Sequence, residues 1–187
     1  MFNKTTAGTI AFPPDHAAAG NGDTATVGYA CEVMKEFKPK LTVVNLSAVD
    51  ACHSGFTSYL KALHRADHAV GHLWNFIQAD SVMSGNTILI AAPECGRDSL
   101  PNAIKDPQND FLGYDHSDTN ALDVFCLMAG PNITSNTSIN AANTPAFSGQ
   151  WKTADIVPTV ADILGLKSDV IGAGMLMAGA GSLFDKK

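Results

Sequence analysis

Residues 41–47 read "LTVVNLS". Thr42, Val43 and Val44 are consecutive β-branched residues, and apolar side chains fall on both parities of the stretch, at Leu41, Val43, Val44 and Leu46. Such a run predicts a strand buried on both faces, which is the setting of a sheet covered by helices on either side. The flanks agree. Upstream, Asp23-Thr24 can cap a helix running to about Phe37, with Val27, Ala30, Cys31 and Met34 on one face, and Pro39 ends it. Downstream, the loop "AVDACHSG" leads into a helix from about Phe56 to Ala79, whose apolar stripe is Tyr59, Ala62, Leu63, Ala66, Val70, Leu73 and Ile77.

The alternation continues. Gly85-Asn86 turns the chain into a strand at 87–92, and a polar loop spans 98–120. A further strand, "DVFCLMAG", is predicted at 123–130, then a Ser/Asn/Thr-rich excursion at 132–149. A helix follows from about Thr153 to Leu164, tolerating Pro158 near its start and stopping at Gly165. Helices alternating with buried strands predict an α/β layered domain with a mostly parallel sheet flanked by helices. The 187 residues fit one such domain, or the C-terminal half of one, with 1–22 and 167–187 as peripheral segments.

Composition narrows the function. The net charge of −6 and the lack of a Lys/Arg run argue against nucleic acid, whose phosphates require a basic surface. No apolar run reaches the roughly 18 residues of a membrane span, and no apolar signal segment opens the chain. Cys31, Cys52, Cys95 and Cys126 form no CxxC pair; reduced core thiols are favoured over a disulfide joining Cys31 and Cys126.

In parallel sheets, sites form beyond the carboxyl ends of the strands. The loops there are rich in ligand types: Asp50, Cys52 and His53 after the first strand, Glu94, Cys95 and Asp98 after the second, and Asp115, His116 and Asp118 before the third. Carboxylate, imidazole and thiolate are the donors that hold zinc and related ions. Asp50 and His53 could equally cap the helix that follows, and a Pro-x-x-Gly turn accounts for much of "PECG". Arg97 can meet an anionic substrate or pair with Asp98. His64, His68 and His72 lie away from the Val70–Leu73–Ile77 stripe, as on a solvated helix face.

The order of motifs adds a resemblance. "EVMKEFKPKLTVVNLSAVDACHSGFTSYLKALHRADHAVGHLW", "NTILIAAPECGRD", "YDHSD", "FCLMAGPNI" and "TADIVPTVADILGL" follow one another as comparable segments do in the alkaline phosphatase superfamily. That superfamily includes sulfatases, nucleotide pyrophosphatases and metal-dependent phosphosugar mutases. The resemblance covers about residues 23–166 and implies a metal-dependent hydrolase or transferase acting on small phosphate or sulfate esters. By position it implies that Asp50, His53 and His116 hold one divalent ion, zinc or manganese. It places Glu94 and Cys95 at a second ion, with Arg97 available to the substrate. It also implies a periplasmic or exported setting, which the sequence itself does not fix.

This chain departs from that pattern. Asp50 and His53 are three positions apart rather than four, and Glu94-Cys95 stands where the family has Asp-His. The family's nucleophile, a Ser, Thr or modified Cys near a first metal-binding Asp, has no clear counterpart in residues 1–40, where Thr5, Thr6 and Thr9 are candidates in name only. The chain thus resembles the C-terminal half of the fold, its nucleophile coming from an N-terminal half, which a partner chain could supply. The alternative expectation is a degenerate, non-catalytic relative serving in interaction or assembly.

Overall fold

A computed structural model of the chain describes residues 22–53, 55–104, 113–134, 152–172, 174 and 180–184; the side chain of Cys52 is outside that description. Contacts divide the chain into two compact units, Met1–Pro131 and Asn132–Lys187.

The first unit is organised by two helices, α1 (Gly22–Phe37) and α2 (Phe56–Ala79). Both form where the apolar spacing predicts. On α2 the buried positions are Ala62, Ala66, Ala69 and Ile77, which fall on one stripe of the helix. Three of them are alanines, so the backbone of α1 can approach closely there. Val27 and Cys31 of α1 pack on Ala69, with Val44, Leu46, Leu73 and Phe76 around them. Met34, Ile77, Met83 and Leu89 form a second cluster, bordered by Val70, Trp74 and Ala91. At the end of α1, Lys38 takes a positive φ of 45° while its N–H still reaches Met34 O at 3.0 Å. Pro39 then prevents any continuation. Lys38 also forms an ion pair with Asp80, the residue that closes α2.

The parallel layered sheet expected from the sequence is overturned. Among the described residues the sheet is a single antiparallel pair, β1 (Leu89–Ala91) with β2 (Leu127–Ala129), in the register Leu89–Ala129, Ile90–Met128 and Ala91–Leu127. The connection between them returns the chain through hydrogen-bonded loops and one short 3-10 turn (Thr119–Leu122, capped by Asp118), with no α-helix in the described part to carry it across the sheet as a parallel crossover requires. Gly130 permits the close end of this pair: its φ is +148°, and a Cβ there would stand 2.7 Å from Thr87 O.

Residues 41–47 do not form the strand that the sequence predicts: they pair with no described strand and run as an extended segment only in the alternation of their exposure. Their exposure alternates: Val44 and Leu46 pack on α1, whereas Val43 is 84% exposed and Leu41 54%. Helices cover one face and no described layer covers the other, so the double burial inferred from composition does not arise.

In the second unit, a 3-10 turn (Thr153–Asp155) runs into α3 (Ile156–Ile163), followed by α4 (Lys167–Gly172). Pro158 lies in the first turn of α3, where no helical N–H is required of it, and Gly165 leaves the helix at φ +72°. The fully buried Asp155 receives N–H groups from Lys152 and Gly181, and the hydroxyl of Thr159 receives the N–H of Leu183. These bonds tie residues 180–184 to the helix.

Candidate metal centre

Two loops of the first unit build the site. The first is the 3-10 turn Ala48–His53, at the end of the extended segment. The second consists of two loop segments, 96–104 and 113–121, fastened to each other by backbone and side-chain hydrogen bonds. Asp98 N–H reaches Asp115 O at 2.8 Å, Asn102 N–H reaches Gly113 O at 2.9 Å, and Gly96 N–H reaches Ala121 O at 2.7 Å. Asp98 and Asp118 exchange clasps. Asp98 accepts from Ser117 Oγ at 2.7 Å and Asp118 N–H at 2.8 Å, while Asp118 accepts from Ser99 N–H at 3.0 Å and Ser99 Oγ at 2.8 Å. These bonds hold both carboxyls below the ordinary range, led by the Asp118 N–H for Asp98 and by the Ser99 N–H for Asp118. Gly96 is required by the fit, because a Cβ on it would stand 2.5 Å from Asp123 O.

This framework brings Asp50, His53 and His116 together. Each offers one ligand atom, and the three atoms lie within 4.8 Å of one another. Two ligands on a tetrahedral ion at about 2.1 Å stand about 3.4 Å apart, so the widest pair has to close by about 1.4 Å, within reach of side-chain rotation. His53 Nε2 stands 2.9 Å from Asp50 Oδ1, and the His53 and His116 rings meet edge to face at 4.8 Å between centroids. One carboxylate and two imidazoles suit zinc or manganese, so the donor set fits the divalent ion implied by the sequence.

Asp115 completes the arrangement. Its Oδ1 lies 3.1 Å from His53 Nδ1. With the His53 proton placed on Nδ1, that nitrogen donates to Asp115 and Nε2 turns its lone pair towards Asp50, the orientation that carboxylate–histidine–metal units adopt. Nε2 and the Asp50 oxygen are then two acceptors side by side. Arg97 provides positive charge there: one guanidinium nitrogen is 3.2 Å from His53 Nε2 and another 3.5 Å from Asp50 Oδ1. The second nitrogen also donates to Val49 O at 3.2 Å, and the group lies 5.9 Å from the Tyr59 ring centroid.

Of the residues singled out from sequence, Asp50, His53 and His116 converge, with Arg97 beside them. Arg97 takes Asp50 as its partner, not the neighbouring Asp98, which is committed to residues 117 and 118. Glu94 and Cys95 do not belong to the group, and among the described residues no second cluster of three ligands forms. Burial pushes the Cys95 thiol up, Arg97 pulls it partly back, and Glu94 and Asp50 raise it further, so it is a protonated thiol near neutral pH. His64, His68 and His72 join no such cluster either. Thr5, Thr6 and Thr9 lie outside the described residues. Asp115, named from sequence as one of the ligand types of its loop, instead meets the ring of His53. No described helix is long and apolar enough to cross a membrane.

No protein-family model, no curated protein and no solved structure matches this chain.

Proposed function

We propose that this chain binds a divalent transition-metal ion through Asp50, His53 and His116 and serves in the hydrolysis or transfer of small phosphate or sulfate esters. The observation that carries the reading is the meeting of those three side chains, from loops distant in sequence, within 4.8 Å. Arg97, at the rim of the same cluster, is the group that receives the anionic oxygens of the ester. Asp115 fixes the His53 ring. The ion, when bound, polarises the ester oxygen it touches. The attacking hydroxyl comes from an N-terminal half of alkaline phosphatase type, in this or a partner polypeptide. Two serine hydroxyls of the loop that carries His116, those of Ser99 and Ser117, are engaged with Asp118 and Asp98.

Metal titration tests the reading. The chain is expected to bind one equivalent of zinc or manganese, with His53→Ala abolishing binding and Asp115→Ala weakening it roughly 10–100-fold. Calorimetry showing no stoichiometric metal would refute it. Turnover of an aryl phosphate or sulfate, lost in His53→Ala, establishes the catalytic part.

A second reading is a non-catalytic subunit serving in interaction or assembly. The open face at Val43, beside an extended segment that joins no strand, favours it. Stoichiometric metal without turnover, in the presence of a tight partner chain, would support this reading over the first.

A further inference from the structure

Asp23 sits in the first turn of α1 and is 3% exposed. A buried carboxylate requires donors, and part of its set comes from a distant piece of chain. Its Oδ1 accepts the N–H of Ser47 at 3.0 Å and of Ala48 at 3.3 Å, and its Oδ2 accepts the same Ala48 N–H at 3.1 Å.

Those two N–H groups mark a junction. Ser47 ends the extended segment, and Ala48 begins the 3-10 turn that carries Asp50 and His53. Further along, the turn is held by the Asp50 N–H to Ser47 O at 3.3 Å and by Arg97, which donates to Val49 O at 3.2 Å. A turn of this kind can rotate about its first residues, and a small rotation there moves both ligand side chains together. The carboxylate of Asp23 fixes two successive peptide groups at that pivot.

We infer that Asp23 is a positioning residue of the metal centre, holding the 47–48 peptides so that Asp50 and His53 face His116. The inference rests on the metal-binding reading proposed above. Asp23 touches neither the ion nor the substrate; it acts through the backbone of the turn.

Cobalt(II) is the probe, because its visible bands report coordination geometry as well as affinity. Asp23→Ala is expected to bind Co²⁺ about 10–100-fold more weakly than the parent chain, with shifted visible bands, while its far-ultraviolet circular dichroism is unchanged. Asp23→Asn, which keeps an acceptor oxygen, is expected to recover most of the affinity and the parent spectrum. Val27→Ala loosens α1 without touching the turn, and is expected to lower Tm while leaving Co²⁺ affinity and bands intact. Parent-like affinity and bands in folded Asp23→Ala would overturn the inference. So would a loss in Val27→Ala equal to that in Asp23→Ala, which would reduce Asp23 to general stability. Should Asp23→Ala not fold, Asp23→Ser carries the same comparison, since its shorter arm cannot span both peptides. Absence of Co²⁺ binding by the parent chain would overturn the metal reading and this inference together, whereas binding that ignores Asp23 would overturn this inference alone.

Discussion

Cys31 and Cys95 are both thiols whose ionisation the protein opposes, but their surroundings differ. Cys31 is 5% exposed, packed between Val27 and Ala69, and its pKa is raised from 9.0 to about 11, first by burial and then by the neighbouring Glu32. A thiol raised in the folded state contributes stability that is complete below its unfolded value. That contribution is lost as pH climbs from about 9 towards 11, because only the unfolded chain releases its proton in that window. Urea midpoints measured from pH 8 to 11 are expected to fall more steeply in the parent than in Cys31→Ala; parallel curves would contradict this. The same scale shows what the sequence conceals. Metal-binding residue types could be picked out at Asp50, His53 and His116, although helix capping accounted for Asp50 and His53 equally well. The part played by Asp115 depends on which ring nitrogen of His53 it meets, and Asp98 becomes a loop clasp only once residues 117 and 118 fold back on it. Neither contact leaves a local signature.

The two helices of the first unit were legible because their determinants are local. The α2 stripe follows the 3.6-residue period, and Pro39 closes the way out of α1. Within that stripe Ile77 is the critical side chain, 2% exposed and touching the cluster of Met34, Met83 and Leu89. Ile77→Ala is expected to cost about 2–5 kcal/mol, read as a lower urea midpoint with unchanged slope. Leu63, placed on the same stripe by sequence, is 40% exposed, so its truncation should cost much less. Strands were less legible, since pairing is a property of two segments and not of one. "LTVVNLS" has the composition of a covered strand, but composition cannot say whether a neighbour exists. "DVFCLMAG" contributes only Leu127–Ala129 to the antiparallel pair, because the chain before it is held in the Asp118-capped turn and its exit. Parallel pairing was inferred from alternation of elements; the connection between β1 and β2 decides otherwise.

At the scale of the molecule, the open side of the first unit has a physical consequence. Residues 41–46 present a β-branched, extended backbone with neither charge nor proline inside it, and Val43 stands 84% exposed at its centre. Natural edge strands are protected by lysines, bulges or covering elements; here the nearest lysine, Lys40, lies just outside the stretch. Leu127 and Phe125 add further exposed apolar surface in the same unit, at 49% and 62%. The net charge of −6 opposes association at long range but is screened at physiological salt, beyond about 8 Å. Short-range edge pairing is therefore expected to dominate as salt and concentration rise. Static light scattering of the isolated chain should show mass increasing with concentration, more strongly at high ionic strength. Val43→Lys places a charge on the outward face without disturbing Val44 and Leu46, whose contacts with α1 lie on the other. It is expected to suppress the increase while leaving helical circular dichroism and metal affinity as in the parent. Val44→Lys, by contrast, should lower Tm because it buries the charge against Val27 and Cys31. Undiminished association in Val43→Lys would show that the 41–46 edge is not the surface responsible.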